Sequence, residues 1–135
     1  MGKTKNSMLS YVEALAVRRA RVLAIFDLYN AQRFDEMLLH YEDEIAFTSP
    51  PLKDGEHDND ASGVGKSAMK ARLELFWRKY GRLQVDEVFA VADQVSVIVI
   101  DAQGRRANFC IEVSPGEKVR RLLVFQSAQA SAQAA

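Results

Sequence analysis

Cysteine is almost absent from this 135-residue sequence, and the single one, Cys110, can form no disulfide within the chain. One thiol also cannot build a thiolate metal cage, which takes several. Net charge is absent as well, because eighteen Lys and Arg balance eighteen Asp and Glu. Binding to nucleic-acid phosphates needs a clustered positive surplus, so no nucleic-acid partner is expected. No long hydrophobic run follows the N-terminal MGKTKNS, since Arg18, Arg19 and Arg21 interrupt the next stretch. Signal peptides and membrane-spanning helices both need such a run, so the expectation is a cytoplasmic protein with no membrane partner. Gly2 does not complete a myristoylation motif, because Asn6 stands where Ser or Thr is required.

What is present suits one soluble domain, with 48% hydrophobic and 27% charged residues and enough length to bury a core. From Ser7, a candidate cap, Val12, Leu15, Val22, Phe26 and Tyr29 fall on one helical stripe that ends near Asn30. The three arginines that interrupt it are expected on solvated helix surface. A short helix is expected over 34–41, capped by Asp35, with Met37, Leu38 and Tyr41 on its apolar side. A strand over 44–49 points Ile45 and Phe47 inward, and Pro50-Pro51 stops it because proline has no N–H for a ladder bond. A third helix is expected over 67–80, with Met69, Leu73, Phe76, Trp77 and Tyr80 on one face.

After Gly81 the period changes to two. Leu83, Val85, Phe89 and Val91 alternate with polar residues, as do Ala107, Phe109, Ile111 and Val113. Ser114-Pro115-Gly116-Glu117 has Pro and Gly in the order of a type II turn, and 119–125 closes the sheet. Helices first and hairpin-linked strands after predict an α+β fold with the helices on one side of an antiparallel sheet. Val97–Ile100 and Leu122–Phe125 are apolar on both faces. The second face needs an apolar cover, either another copy of the chain (a homodimer through the outer sheet) or tight curling of the single chain.

The segment 50–65 reads as one long polar, acidic loop of the kind that forms lids or binding sites. His57 is the lid candidate. Asp54, Glu56, Asp58 and Asp60 miss the glycine and terminal glutamate of a calcium loop, so no metal and no cofactor is expected. The Ala, Gln and Ser tail over 127–135 is expected to be disordered, leaving 1–126 as the domain.

The string FDLYNAQRFDEMLLHYEDEIAFTSPP, with GVGKSAM and GEKVRRLLVF further on, resembles SnoaL-like members of the nuclear-transport-factor-2-like superfamily. The likeness covers Val22 to Gln126 and rests on spacing and hydrophobic order. It implies a cone, cystatin-like in outline, in which a curved antiparallel sheet packs around three helices. One departure is Gln32-Arg33, where the family often has Gly-Asp at the turn. Relatives include ketosteroid isomerases and polyketide cyclases, and their catalytic positions can be read across. The isomerase base falls on Ser49, its donors near Ile25 and Phe109, and the cyclase His-Trp-Asp string on Leu122-Leu123-Val124. A carboxylate base and oxyanion donors are missing at all of them. A serine hydroxyl is a poor base without an activating histidine or lysine.

Two functions therefore compete. The first is a pocket for a small apolar, cyclic ligand, lined by Phe47, Ser49, Trp77, Tyr80, Phe89, Asn108 and Phe109, with any isomerase- or cyclase-like chemistry falling to non-standard residues. The second is a non-catalytic homodimeric association module whose cavity is filled by the aromatics. The faces of Arg106, Asn108, Glu112 and Arg121 depend on the hairpin turn. With a two-residue loop Cys110 faces Arg121, and Glu112 lies diagonal to it; a bulge would reverse every side chain.

Overall fold

The computed structural model describes residues 2–50, 52 and 61–126. His57, the acidic residues of the loop and the tail over 127–135 lie outside the described residues. In chain order the elements are α1 (Gly2–Asn30), α2 (Phe34–Leu38), β1 (Tyr41–Ser49), β2 (Ala61–Val64), α3 (Lys66–Tyr80), β3 (Gln84–Val91), β4 (Gln94–Ile100), β5 (Arg106–Val113) and β6 (Val119–Gln126). The six strands make one open sheet in the order β2-β1-β6-β5-β4-β3. All neighbours are antiparallel except β1 and β6, which run parallel. The α+β cone is the fold found, with this one parallel pairing making its sheet mixed. Register shifts in the β1–β6, β3–β4 and β5–β6 pairs bend the strands and curve the sheet around the helices.

Packing of α1 begins at Val22, and Val22, Ile25, Phe26 and Tyr29 form its buried stripe. Val12 is exposed and Ser7 lies inside the helix, so neither the upper stripe nor the Ser7 cap is as expected. The helix ends with the N–H of Gln32 on the Tyr29 carbonyl and the N–H of Arg33 on that of Leu28, both at 2.9 Å. This is a Schellman ending, and it places Gln32 at φ 58, a left-handed position that favours glycine.

The Tyr29-Asn30 pair then fixes the exit of α3. The Tyr29 hydroxyl donates to the Gly81 carbonyl at 2.8 Å. The Asn30 amide both donates to the Leu83 carbonyl and accepts from the Leu83 N–H, each at 2.9 Å. The second helix is shorter than expected, with Arg33 rather than Asp35 at its start and no side-chain cap. Tyr41 opens β1 instead, because it pairs with Val119 of β6 while the Val119 N–H bonds the His40 carbonyl at 2.8 Å.

Two arginines of α1 are structural clamps rather than solvated surface. Arg18 donates from Nε and Nη2 to the Glu117 carboxylate at 3.0 and 2.9 Å, and from Nη1 to the Ala92 carbonyl. Arg21 donates to the Glu117 carbonyl. The helix thereby grips the β3–β4 and β5–β6 turns at Ala92 (φ 53) and Glu117 (φ 63), both left-handed. The β5–β6 turn has the Glu117 N–H on the Ser114 carbonyl at 2.9 Å, with the positive φ on Glu117. A type II turn would need it on Gly116. The longer turn and the register shift between Glu112 and Val113 together move the pairing by two residues, so Cys110 faces Leu123 and Glu112 faces Arg121. Among the described residues no helix is long and apolar enough to cross a membrane.

Candidate functional site

The concavity of the sheet is closed by α1, α2 and α3. Ile25, Phe26 and Tyr29 of α1 meet Met37 of α2, Leu73 and Phe76 of α3, and Phe109, Ile111 and Leu122 of the sheet. The aromatic rings interlock. Phe109 meets Phe26 edge-on at 5.4 Å between centroids and Phe76 at 5.9 Å, while Phe76 stacks on Tyr80 at 5.9 Å. A void of about 20 Å³ remains among them. That is room for about one water molecule, and an apolar wall gives a water few partners. The interior is packed.

Among the described residues its ionisable walls are Tyr29 and Tyr41. Burial pushes both phenols well above their usual range, and the neighbouring Tyr80 and Asp101 push Tyr29 further. Neither can act as a base near neutral pH. Ser49 is fully buried at the end of β1, and the Nε of Arg72 donates to its hydroxyl oxygen at 2.8 Å. The Ser49 hydroxyl donates in turn to the Pro50 carbonyl at 3.2 Å, which also accepts from Arg72 Nη2 at 2.8 Å. A guanidinium donates and does not accept, so it cannot activate this serine as a nucleophile. The arrangement pins β1 to α3. Of the other positions onto which the resemblance carries catalytic groups, Ile25, Phe109, Leu122 and Val124 are buried, whereas Leu123 is half-buried and faces outward beside Cys110.

No family profile and no curated protein sequence matches the chain. Solved structures do. A SnoaL-like protein of unknown function from Burkholderia thailandensis is 24% identical with a TM-score of 0.69, over 84% of this chain and 96% of that one. A nuclear-transport-factor-2-like protein of unknown function from Cytophaga hutchinsonii is 15% identical with a TM-score of 0.63, covering 83% and 91%. SalBIII, described as an epoxide hydrolase/cyclase-like enzyme in pyran ring formation, is 15% identical with a TM-score of 0.61, covering 85% and 94%. The fold is the one these SnoaL-like and nuclear-transport-factor-2-like structures share.

In this chain the seven candidate pocket residues do not form one constellation. Phe109 alone lines the hollow. Phe47 is buried on β1 beneath Gly63, whose missing Cβ leaves room for the ring; a built Cβ would lie 2.4 Å from Phe47 Cζ. Trp77 is half-buried against Tyr29, with centroids 5.5 Å apart. Ser49 and Tyr80 are buried elsewhere in the interior. Phe89 is 54% exposed on the outer face. The register shift between Val85 and Glu87 moves Val88 and Ala90 to the inner side and turns Phe89 outward. Asn108 also faces outward and accepts from the Ser96 hydroxyl at 3.0 Å.

Sequence reasoning missed Arg72, which reads as an ordinary helix-surface cation. Its spacing of four from Phe76 and eight from Tyr80 on the buried stripe was the available signal. The acidic surface around Glu42, Asp43 and Glu44 has the Ser114 hydroxyl donating to Glu42 at 2.5 Å. No described cluster of three or more His, Cys, Asp or Glu side chains could hold a metal.

Proposed function

We propose that this SnoaL-like chain is a non-catalytic association module that pairs with a second copy through the outer face of β3, β4, β5 and β6. The observation that supports this is how charge is distributed on that face. One cross-strand row runs Phe89, Ser96, Cys110, Leu123, and the next runs Glu87, Ile98, Asn108, Phe125. Apart from Glu87 on the edge strand, these rows are apolar or neutral, and Phe89 and Phe125 are 54% and 47% exposed. The flanking row runs Val91, Gln94, Glu112, Arg121, and charges gather at its β5–β6 end. Arg120 donates to Glu112 at 2.7 Å and to Asp93 at 3.3 Å, and Gln94 donates to Glu112 at 3.0 Å. An apolar centre edged by charge is the anatomy of an interface between protein chains. A second copy fits it because both partners would present the same neutral rows across a two-fold axis. The packed interior and the absence of a base at Ser49, Ile25, Phe109 and Leu122–Val124 support the non-catalytic half of the proposal.

Cys110 sits within the neutral rows and is partly exposed in the single chain. Its reaction with a thiol reagent should be slow at high protein concentration and speed up on dilution. A rate independent of concentration would contradict pairing through this face.

The second reading, a small-molecule pocket, is favoured by the largely apolar lining around the residual void, in which Tyr29 and Tyr41 are the hydroxyl-bearing side chains. It is also in keeping with the cyclase-like description of SalBIII. It requires the rings of Phe26, Phe76 and Phe109 to move apart to admit a ligand.

A further inference from the structure

The charges on the outer face are placed so that only some orientations of a second copy suit them. On β5 the outward side chains are Arg106, Asn108, Cys110 and Glu112, in that order. The strand therefore has a cation at its start and an anion at its end, six residues or about 20 Å apart. Their midpoint is the gap between Asn108 and Cys110, which is also the gap between the two neutral rows. Arg106 reaches Asp86 through Nη1 at 3.3 Å, and Glu112 accepts from Gln94 on one oxygen and from Arg120 on the other. A guanidinium has five N–H donors and a carboxylate about four lone-pair sites, so each can take a further partner.

Sheets that pack face to face keep their strands within about 30° of each other, whereas orthogonal packing uses strands that bend from one sheet into the other. Separate chains have no such strands. The two-fold axis of a pair then runs either along the strands or across them. An axis along the strands, between β4 and β5, lays β5 over β4 of the second copy and β6 over β3. Arg106 then meets Ile100, and Arg121 meets Val91. Arg121 has no ion pair among the described residues, so this arrangement sets an unpaired cation against an apolar side chain. An axis across the strands, midway between the neutral rows, lays β5 antiparallel on β5 of the second copy. Arg106 then meets Glu112, Asn108 meets Cys110, and on β6 Leu123 meets Phe125.

Resting on the pairing proposed above, we infer that the two copies meet about a two-fold axis that crosses the strands, with Arg106 of each copy paired to Glu112 of the other. The contact is made twice, once at each end of β5, where side chains of this length span the roughly 10 Å between packed sheets. These charge pairs set direction and register, and the neutral rows between them supply the buried centre.

The test mixes two reversed-charge variants, Arg106→Glu and Glu112→Arg, and follows association by sedimentation equilibrium, with circular dichroism to establish that each is folded. Alone, each variant sets like charges against each other at both ends of β5 and should pair about tenfold or more weakly than wild type. Mixed in equal amounts, the two restore opposite charges at both contacts, and the mixture should pair within about threefold of wild type. Within one chain the two positions are too far apart to couple, so recovery on mixing comes from contact between copies. Where a reversed charge disturbs the fold, Arg106→Gln, Glu112→Gln and their double variant give the same reading. The double should then pair as weakly as either single, and losses that add instead would remove the contact. A wild type that pairs, with a mixture that pairs no better than its components, overturns this geometry and leaves the association reading standing. A wild type that stays a single chain overturns both.

Discussion

Replacing Arg18 by Met should cost more than removing a surface cation, because this one side chain ties α1 to two hairpin turns. The Arg18 side chain is 17% exposed, and its guanidinium holds both oxygens of Glu117 at 2.9 and 3.0 Å. An exposed ion pair contributes about 0.2–1 kcal/mol, and bidentate geometry places this one near the top of that range. The further bond to the Ala92 carbonyl brings the expected loss to about 1–2 kcal/mol. For a chain of this size that lowers the melting temperature by roughly 3–8 °C. Urea unfolding of Arg18→Met, Glu117→Gln and the double variant isolates the pair, with a coupling of about 1 kcal/mol expected at pH 7.

The pH dependence of that coupling is a second readout. The hydrogen bond from Arg18 holds the Glu117 carboxyl below its ordinary pKa in the folded protein, against a smaller opposing effect of burial. A depressed folded pKa means the stabilisation is fully present above the unfolded value of about 4.3 and is lost as pH falls through the folded value. The coupling should therefore persist from neutral pH to about 5 and fade in stronger acid. A coupling under about 0.3 kcal/mol at pH 7, or one that ignores acid, would refute the clamp.

Two further substitutions probe the local structure. Gln32→Gly should stabilise the chain by about 0.5–1 kcal/mol in urea melts, since a left-handed non-glycine residue is relieved at the Schellman ending. A destabilised variant would mean that the Gln32 side chain contributes more than its backbone costs. Asn30→Asp keeps the acceptor for the Leu83 N–H but turns a carboxylate oxygen toward the Leu83 carbonyl, at a helix C-terminus that disfavours anions. A loss of about 1–3 kcal/mol is expected, and an unchanged melt would show that the amide does not fix the α3–β3 connection.

Much of the fold could be read from periodicity. The buried stripes of α1 and α3 and the alternation of β5 set the helical layer and the inner face directly. What escaped depends on partners distant in sequence. The strand β2 is four residues of small or polar type, and it forms because β1 offers it an edge and Gly63 lets Phe47 approach. Tyr41 reads as helix by spacing but is captured by Val119 of β6. Arg18 and Arg21 look solvated because Glu117 lies 99 and 96 residues away. Phe89 was misplaced by one uncounted bulge, since a single inserted residue exchanges the two faces of a strand. The candidate site was less legible for the same reason. A pocket list drawn from residue type gathers aromatics, whereas the structure distributes them between core, helix contact and outer face.

Association through the outer sheet is the claim on which the functional reading rests, and sedimentation equilibrium of wild type and Phe125→Lys tests it directly. Wild type should sediment at twice the chain mass at micromolar concentration. The lysine variant, with a charge placed in the neutral rows, should sediment as a single folded chain with an unchanged circular dichroism spectrum. A wild-type protein that stays at the mass of one chain, or a Phe125→Lys variant that associates as well as wild type, would contradict the account.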